Sequence, residues 1–177
     1  DMACHILHPV FKALNLKYPT KVQGSSTLLL SESCPNAEMV KYVFPARDNM
    51  PKVAMPEVEV IWYDGGLKPN RPEGLPAGKD LNNGGGGAIF YGTKDTLIVG
   101  SYGRDPYLLS GRKPEVPQTI RRVKTNHQQD WIRACKEHPS VRVPSDSDFA
   151  EAGPFNEMVV MGVNAVRLQG LNMELEW

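Results

Sequence analysis

Asp1, His5, His8 and Lys12 recur near the start of the chain at spacings of four, three and four. On a helix turning about 100° per residue, these side chains fall within roughly 60° of one another. Their mean direction lies nearly opposite the apolar stripe of Ile6, Val10 and Leu14. Asp1 and His5 stand one turn apart, so a carboxylate can meet an imidazole. Such a partner fixes the ring's tautomer and raises its basicity. The result is a general base that works near neutral pH. Three other readings of the same residues stay open. A polar stripe opposite an apolar one is what any surface helix shows. Asp1 can simply cap the helix. Asp1-x3-His5-x2-His8 has metal-ligand types on one face, but no further ligand set accompanies them.

The elements that must position these residues follow from periodicity. Met2 to Leu16 reads as a helix, with Ile6, Val10, Ala13 and Leu14 at three- and four-residue spacing, widened by Leu7 and Phe11. Pro9 predicts a kink or break, because it lacks a donor and disfavours helix at His8. Strands are expected at Lys21–Leu30, Met39–Pro45 and Glu57–Tyr63. Ala88–Tyr91 and Thr96–Ser101 read as a hairpin around residues 93–95. Two helices are then expected. Gln118–Glu137 has Ile120, Val123, Trp131, Ala134 and Cys135 as core candidates. Phe149–Leu168 has Phe155, Met158, Val159, Gly162, Val163 and Val166 as its stripe, and Asp148 with Glu151 as a capping box. Asn172–Trp177 alternates as a last strand. Strands in series without helices between them imply an antiparallel sheet. The expected fold is α+β, an open, predominantly antiparallel sheet with helices packed on one face. Ile61 and Tyr63 make the other face partly apolar, so a homo-oligomer through that open face is expected.

Composition narrows the classes. The 177 residues suit one domain. Lys plus Arg and Asp plus Glu are both 20, so the zero net charge argues against a nucleic-acid surface. No apolar run approaches the roughly 20 residues of a membrane helix. Cys4, Cys34 and Cys135 form no CxxC pair, and three is odd, which argues against a disulfide framework or zinc ribbon. Twelve of the 16 glycines fall between Gly65 and Gly111, a zone of strands and turns. Gly84–Gly87 is a plain glycine run, not the GxGxxG of a nucleotide cradle. Tyr102, Arg104 and Tyr107 sit in a loop just after a strand, where binding residues gather. His127 opens a helical stretch near Trp131 and is a candidate for lining the same cleft.

Asp1-Met-Ala-Cys-His5 leading into an apolar helix resembles a segment of the glucose–fructose oxidoreductase / inositol dehydrogenase / MocA family. The similarity continues through Gly87–Tyr91 and Gly92-Thr-Lys-Asp-Thr to Ile98, then Tyr102-Gly103 and Pro106-x-Leu-Leu. Asn126-His127-x-x-Asp130-Trp131-Ile-x-Ala134-Cys and Ala152-Gly153-Pro154 with Glu157 complete it. The resemblance implies a C-terminal substrate-binding and oligomerisation domain spanning residues 1–177. The dinucleotide-binding domain is expected upstream. It implies a hydride passed between a sugar or cyclitol carbon and nicotinamide, with NAD or NADP held mainly by that other domain. It assigns His5 as acid/base and Asp1 as its polar partner. His8 stands where many relatives carry an acid, and is a substrate-side candidate with Tyr102, Arg104, Tyr107 and His127. No cofactor-binding or metal residue is expected within the chain. Some relatives use the redox step transiently to cleave a glycosidic bond. The alternative from another class is a non-enzymatic carbohydrate- or partner-binding sheet module, suited by Trp62, Tyr63, Tyr91, Tyr102 and Tyr107. The sequence leaves the compartment open, cytoplasmic or periplasmic.

Overall fold

A computed structural model describes residues 2–48, 55–81 and 85–177. Asp1 and Gly84 lie outside the described residues.

The first helix, α1, runs Ala3–Ala13 and buries Leu7, Val10 and Phe11. Three antiparallel strands follow: β1 (Lys21–Ser26), β2 (Glu38–Phe44) and β3 (Val58–Tyr63). β4 (Gly87–Tyr91), β5 (Thr96–Gly100) and the short β6 (Tyr107–Leu108) make a second antiparallel set. A 3₁₀ turn at Ser101–Gly103 lies between β5 and β6. Helix α2 (His127–Lys136), helix α3 (Phe149–Arg167) and β7 (Leu175–Glu176) complete the chain. The fold is α+β with open antiparallel sheets. One has the order β3-β2-β1-β7, the other β4-β5-β6.

Register explains which face is covered. Val22 pairs with Tyr42, Gly24 with Val40, Val40 with Trp62, and Tyr42 with Val60. These residues share one face because side chains alternate along a strand. α3 lies on that face and buries Phe155, Met158, Met161, Ala165 and Val166 in one core with them. Each large side chain so buried contributes about 1.5–3 kcal/mol. Two glycines set the helix–sheet distance. A Cβ on Gly24 would stand 2.4 Å from the Val166 amide nitrogen. One on Gly162 would stand 2.1 Å from the Tyr42 hydroxyl. α1 then packs on α3, with the Phe11 and Phe155 rings 5.3 Å apart. Arg47 closes the end of α1 by donating to the carbonyls of Leu14 (2.8 Å) and Asn15.

The structure corrects several expectations. α1 runs unbroken through Pro9. Proline removes only the one donor it lacks, and packing on both sides of α1 outweighs that cost. The expected helix from Gln118 begins only at His127. Asn126 is extended there and its side chain accepts from the Gln129 amide, which starts the helix. Ile120 (72% exposed), Trp131 (60%) and Cys135 are therefore not core, while Ala134 is. β1 stops at Ser26, and Leu28, Leu29 and Leu30 are exposed. Only Leu175 of the last alternating segment turns inward; Met173 and Trp177 are exposed. On α3, Met161 and Ala165 are buried where Val163 was expected. The strands fall into two sheets, not one. The outer face of the larger sheet is mixed. Met39, Ile61 and Tyr63 share it with Lys41, which pairs with Glu174 (2.6 Å) and Glu59 (3.7 Å).

Gly24→Ala is expected to destabilise the protein by about 2 kcal/mol or more, because backbone must move to admit the methyl group. Gly153→Ala, in α3 with open space around it, is expected to gain up to ~1 kcal/mol from helix propensity. Urea denaturation of the two variants checks both signs.

Candidate functional site

α1 is clasped from two sides. On one side lies α3. On the other lie the glycine-rich turn before β4 and the 3₁₀ turn after β5. A Cβ on Gly86 would stand 2.8 Å from Ile6 Cδ1, and one on Gly103 would stand 3.4 Å from Pro9 Cβ. Both glycines have positive φ, so they supply the chain reversal and the close approach together. The Ser101 hydroxyl donates to the Gly85 carbonyl (2.7 Å) and lies 3.3 Å from that of Gly86. The Gly100 amide donates to Arg104 O at 2.8 Å, closing the 3₁₀ turn.

This turn presents an aromatic ring to His5. Tyr102 adopts φ 62° and ψ 17°, a left-handed conformation uncommon for a non-glycine residue. Its ring meets the His5 imidazole edge-on, centroids 5.3 Å apart and planes at 64°. The Arg104 guanidinium lies 5.2 Å from the Tyr102 ring centre. His5 is half-buried, while Tyr102 and Arg104 are exposed. The arrangement is an imidazole with access to solvent, flanked by a phenol and a fixed positive charge.

His8 goes elsewhere. Its Nε2 lies 3.4 Å from Glu151 Oε1 and its ring 5.1 Å from that of Phe155, so it faces α3. Lys12 Nζ reaches the same Glu151 oxygen at 4.0 Å. His5, His8 and Lys12 of the polar stripe are thus split between two neighbours, and do not form a plain solvent face. Because His5 and His8 diverge, they do not form a common metal site. Among the described residues no group of three or more His, Cys, Asp or Glu side chains is placed to share an ion. Glu151 was legible only as a capping residue; nothing in its spacing pointed to His8.

The other candidates are not at His5. Tyr107 stands in β6 opposite Ile98, and Lys79 Nζ sits 3.8 Å over its ring. His127 is exposed at the start of α2. α2 is tied to its flanking segments by charge. Arg121 makes two 2.9 Å hydrogen bonds to the buried Asp130, Arg133 adds a third at 3.1 Å, and Arg121 also reaches Asp146 at 3.3 Å. The Arg121 hydrogen bonds, with Arg133 behind them, hold the Asp130 carboxyl far below the usual carboxylate range. No helix among the described residues is long and apolar enough to cross a membrane.

No protein-family model and no curated protein matches the chain.

Asp130 gives a pH test. A depressed folded-state pKa contributes stability above the unfolded value, about 4, and loses it as pH falls. Melting followed between roughly pH 5 and pH 2 should show this loss in the wild type and a flatter profile in Asp130→Asn.

Proposed function

We propose that the chain is the substrate-binding and oligomerisation domain of an NAD(P)-dependent oxidoreductase acting on a hydroxyl-bearing carbon of a sugar or cyclitol. The single observation behind this reading is the half-buried His5 imidazole set edge-on to Tyr102 at the junction of α1 and the Ser101–Gly103 turn. The family-like order of segments in the sequence adds to it. The nicotinamide cofactor would be held by a dinucleotide-binding unit outside these 177 residues.

A nicotinamide held by that unit would supply the hydride acceptor for the carbon that carries the hydroxyl. An unprotonated ring nitrogen of His5 takes the hydroxyl proton in the same step. Tyr102 limits how the imidazole can rotate, and its own hydroxyl offers a donor or acceptor to a neighbouring sugar oxygen. Arg104 positions the Tyr102 ring. Asp1 keeps the role of polar partner to His5 that the resemblance gives it. His8 is reassigned in this proposal. It joins α1 to α3 through Glu151 and Phe155. Homo-oligomer formation through the mixed outer sheet face remains part of the proposal.

A second reading, carbohydrate binding without chemistry, rests on the exposure of Tyr91 and Tyr102. Substitution separates the two. In the product of the complete reading frame, His5→Ala should lower turnover roughly 100- to 10,000-fold while substrate binding changes little. Unchanged function in that variant would favour the binding module.

A further inference from the structure

The segment between β6 and α3, residues 109–148, stands apart from the core. Only Asp130 and Ala134 are buried in it, and every residue from Ser110 to Arg122 is exposed. None of its side chains joins the core shared by α1, α3 and the larger sheet. Arg112 hooks its start to Asp95 at 3.3 Å. From there to the turn into α3, the side-chain hydrogen bonds and ion pairs among the described residues stay within the segment. Arg133 bonds Asp130 and the Val143 carbonyl (3.0 Å), Arg121 reaches Asp146, and Arg142 reaches the Glu137 carbonyl (3.2 Å). The result is an arm with an internal shape and little burial. One buried alanine is too little apolar surface to offset the ordering of such a length of chain.

The arm is basic and partly apolar on its outside. It holds eight Lys and Arg against five Asp and Glu, so the remainder of the chain, from totals of 20 each, holds 12 against 15. Asp130, Glu137 and Asp146 are taken up by Arg121 and Arg133. Lys113, Arg122, Lys124, Lys136 and Arg142 have no carboxylate partner among the described residues. Ile120, Trp131 and Val141 are exposed in the same arm.

The outer face of the larger sheet complements it. Met39 and Ile61 are exposed there. Register puts Glu59 and Glu176 on the same face as Lys21 and Lys41. Glu174 pairs with both lysines, at 3.4 and 2.6 Å. Glu176, and Glu57 just before β3, are exposed and have no ion-pair partner among the described residues. The face therefore offers apolar surface with unpaired negative charge, as the arm offers apolar surface with unpaired positive charge.

We propose that the arm of one copy docks on the open sheet face of a second copy, and the second copy's arm on the first. The apolar side chains of the arm cover Met39 and Ile61, and its unpaired cations meet Glu57 and Glu176. Such a reciprocal exchange obeys two-fold symmetry. A nucleic acid would meet only the charge, and the acidic remainder of the chain would repel it. The proposal takes the open sheet face from the oligomer reading above and makes no use of hydride chemistry.

The test is sedimentation velocity of the protein over about a hundredfold range of concentration, at low salt and at roughly 0.5 M sodium chloride. The expected result is a dimer whose dissociation constant rises at least roughly tenfold in the high salt. Lys124→Glu with Lys136→Glu should weaken self-association at least roughly tenfold, and so should Glu57→Lys with Glu176→Lys. All four side chains are exposed, so folding is not at stake. An equimolar mixture of the two double variants should associate as the wild type does, because each supplies the charge the other lacks. Dimerisation of the arm variant as tight as wild type would overturn the proposal, as would a mixture that stays monomeric. Loss of the dimer in the face variant alone would overturn the arm contact and keep the oligomer reading. A wild-type monomer at every concentration would overturn both.

Discussion

The close seating of α3 on β1 and β2 is the constraint from which the rest follows. Gly24 lets the helix backbone at Val166 approach the strand, and Gly162 makes room for the Tyr42 hydroxyl. With α3 held there, Phe155 faces Phe11, and α1 is placed against α3. That contact fixes the rotation of α1 about its axis. His8 is turned toward Glu151, and His5 is turned the other way, toward the Ser101–Gly103 turn. A larger residue at either glycine would lift α3 and rotate everything built on it. The candidate site therefore depends on two glycines that touch none of its residues.

A second clasp acts on the far side of α1. Gly86 and Gly103 approach Ile6 and Pro9 closely, and Ser101 bonds back to Gly85. The left-handed backbone at Tyr102 carries a conformational cost of order 1–3 kcal/mol. It places the ring at the imidazole, where an ordinary turn conformation would direct it elsewhere. Strain of this kind at a solvent-accessible imidazole is consistent with the catalytic proposal, and it gives His5 a fixed neighbour.

Legibility followed the range of the interaction. The helices at 3–13 and 149–167 and the strands at 21–26, 38–44, 58–63, 87–91 and 96–100 were readable because alternation and 3.6-residue periodicity are local. The late start of α2 was not, because apolar Ile120 and Val123 fit a helical spacing while Asn126 supplies the actual cap. Division into two sheets was hidden, since strand order rests on contacts between distant segments. His5 was legible as a candidate from its spacing. Its partner Tyr102 was legible only as a loop residue, because a positive φ in a tyrosine leaves no mark in sequence. Tyr107 was named by residue type and loop position and His127 by its place in a helical stretch near Trp131, and the fold takes them to Lys79 and to the exposed start of α2.

The most direct measurement is calorimetric titration of NAD(H) and NADP(H) into the product of the complete reading frame, with the 177-residue chain titrated in parallel. The account predicts saturable binding of one cofactor pair to the complete product and none to the chain alone. Absence of binding to both would contradict the oxidoreductase reading and leave the site at His5 as a binding surface without redox chemistry.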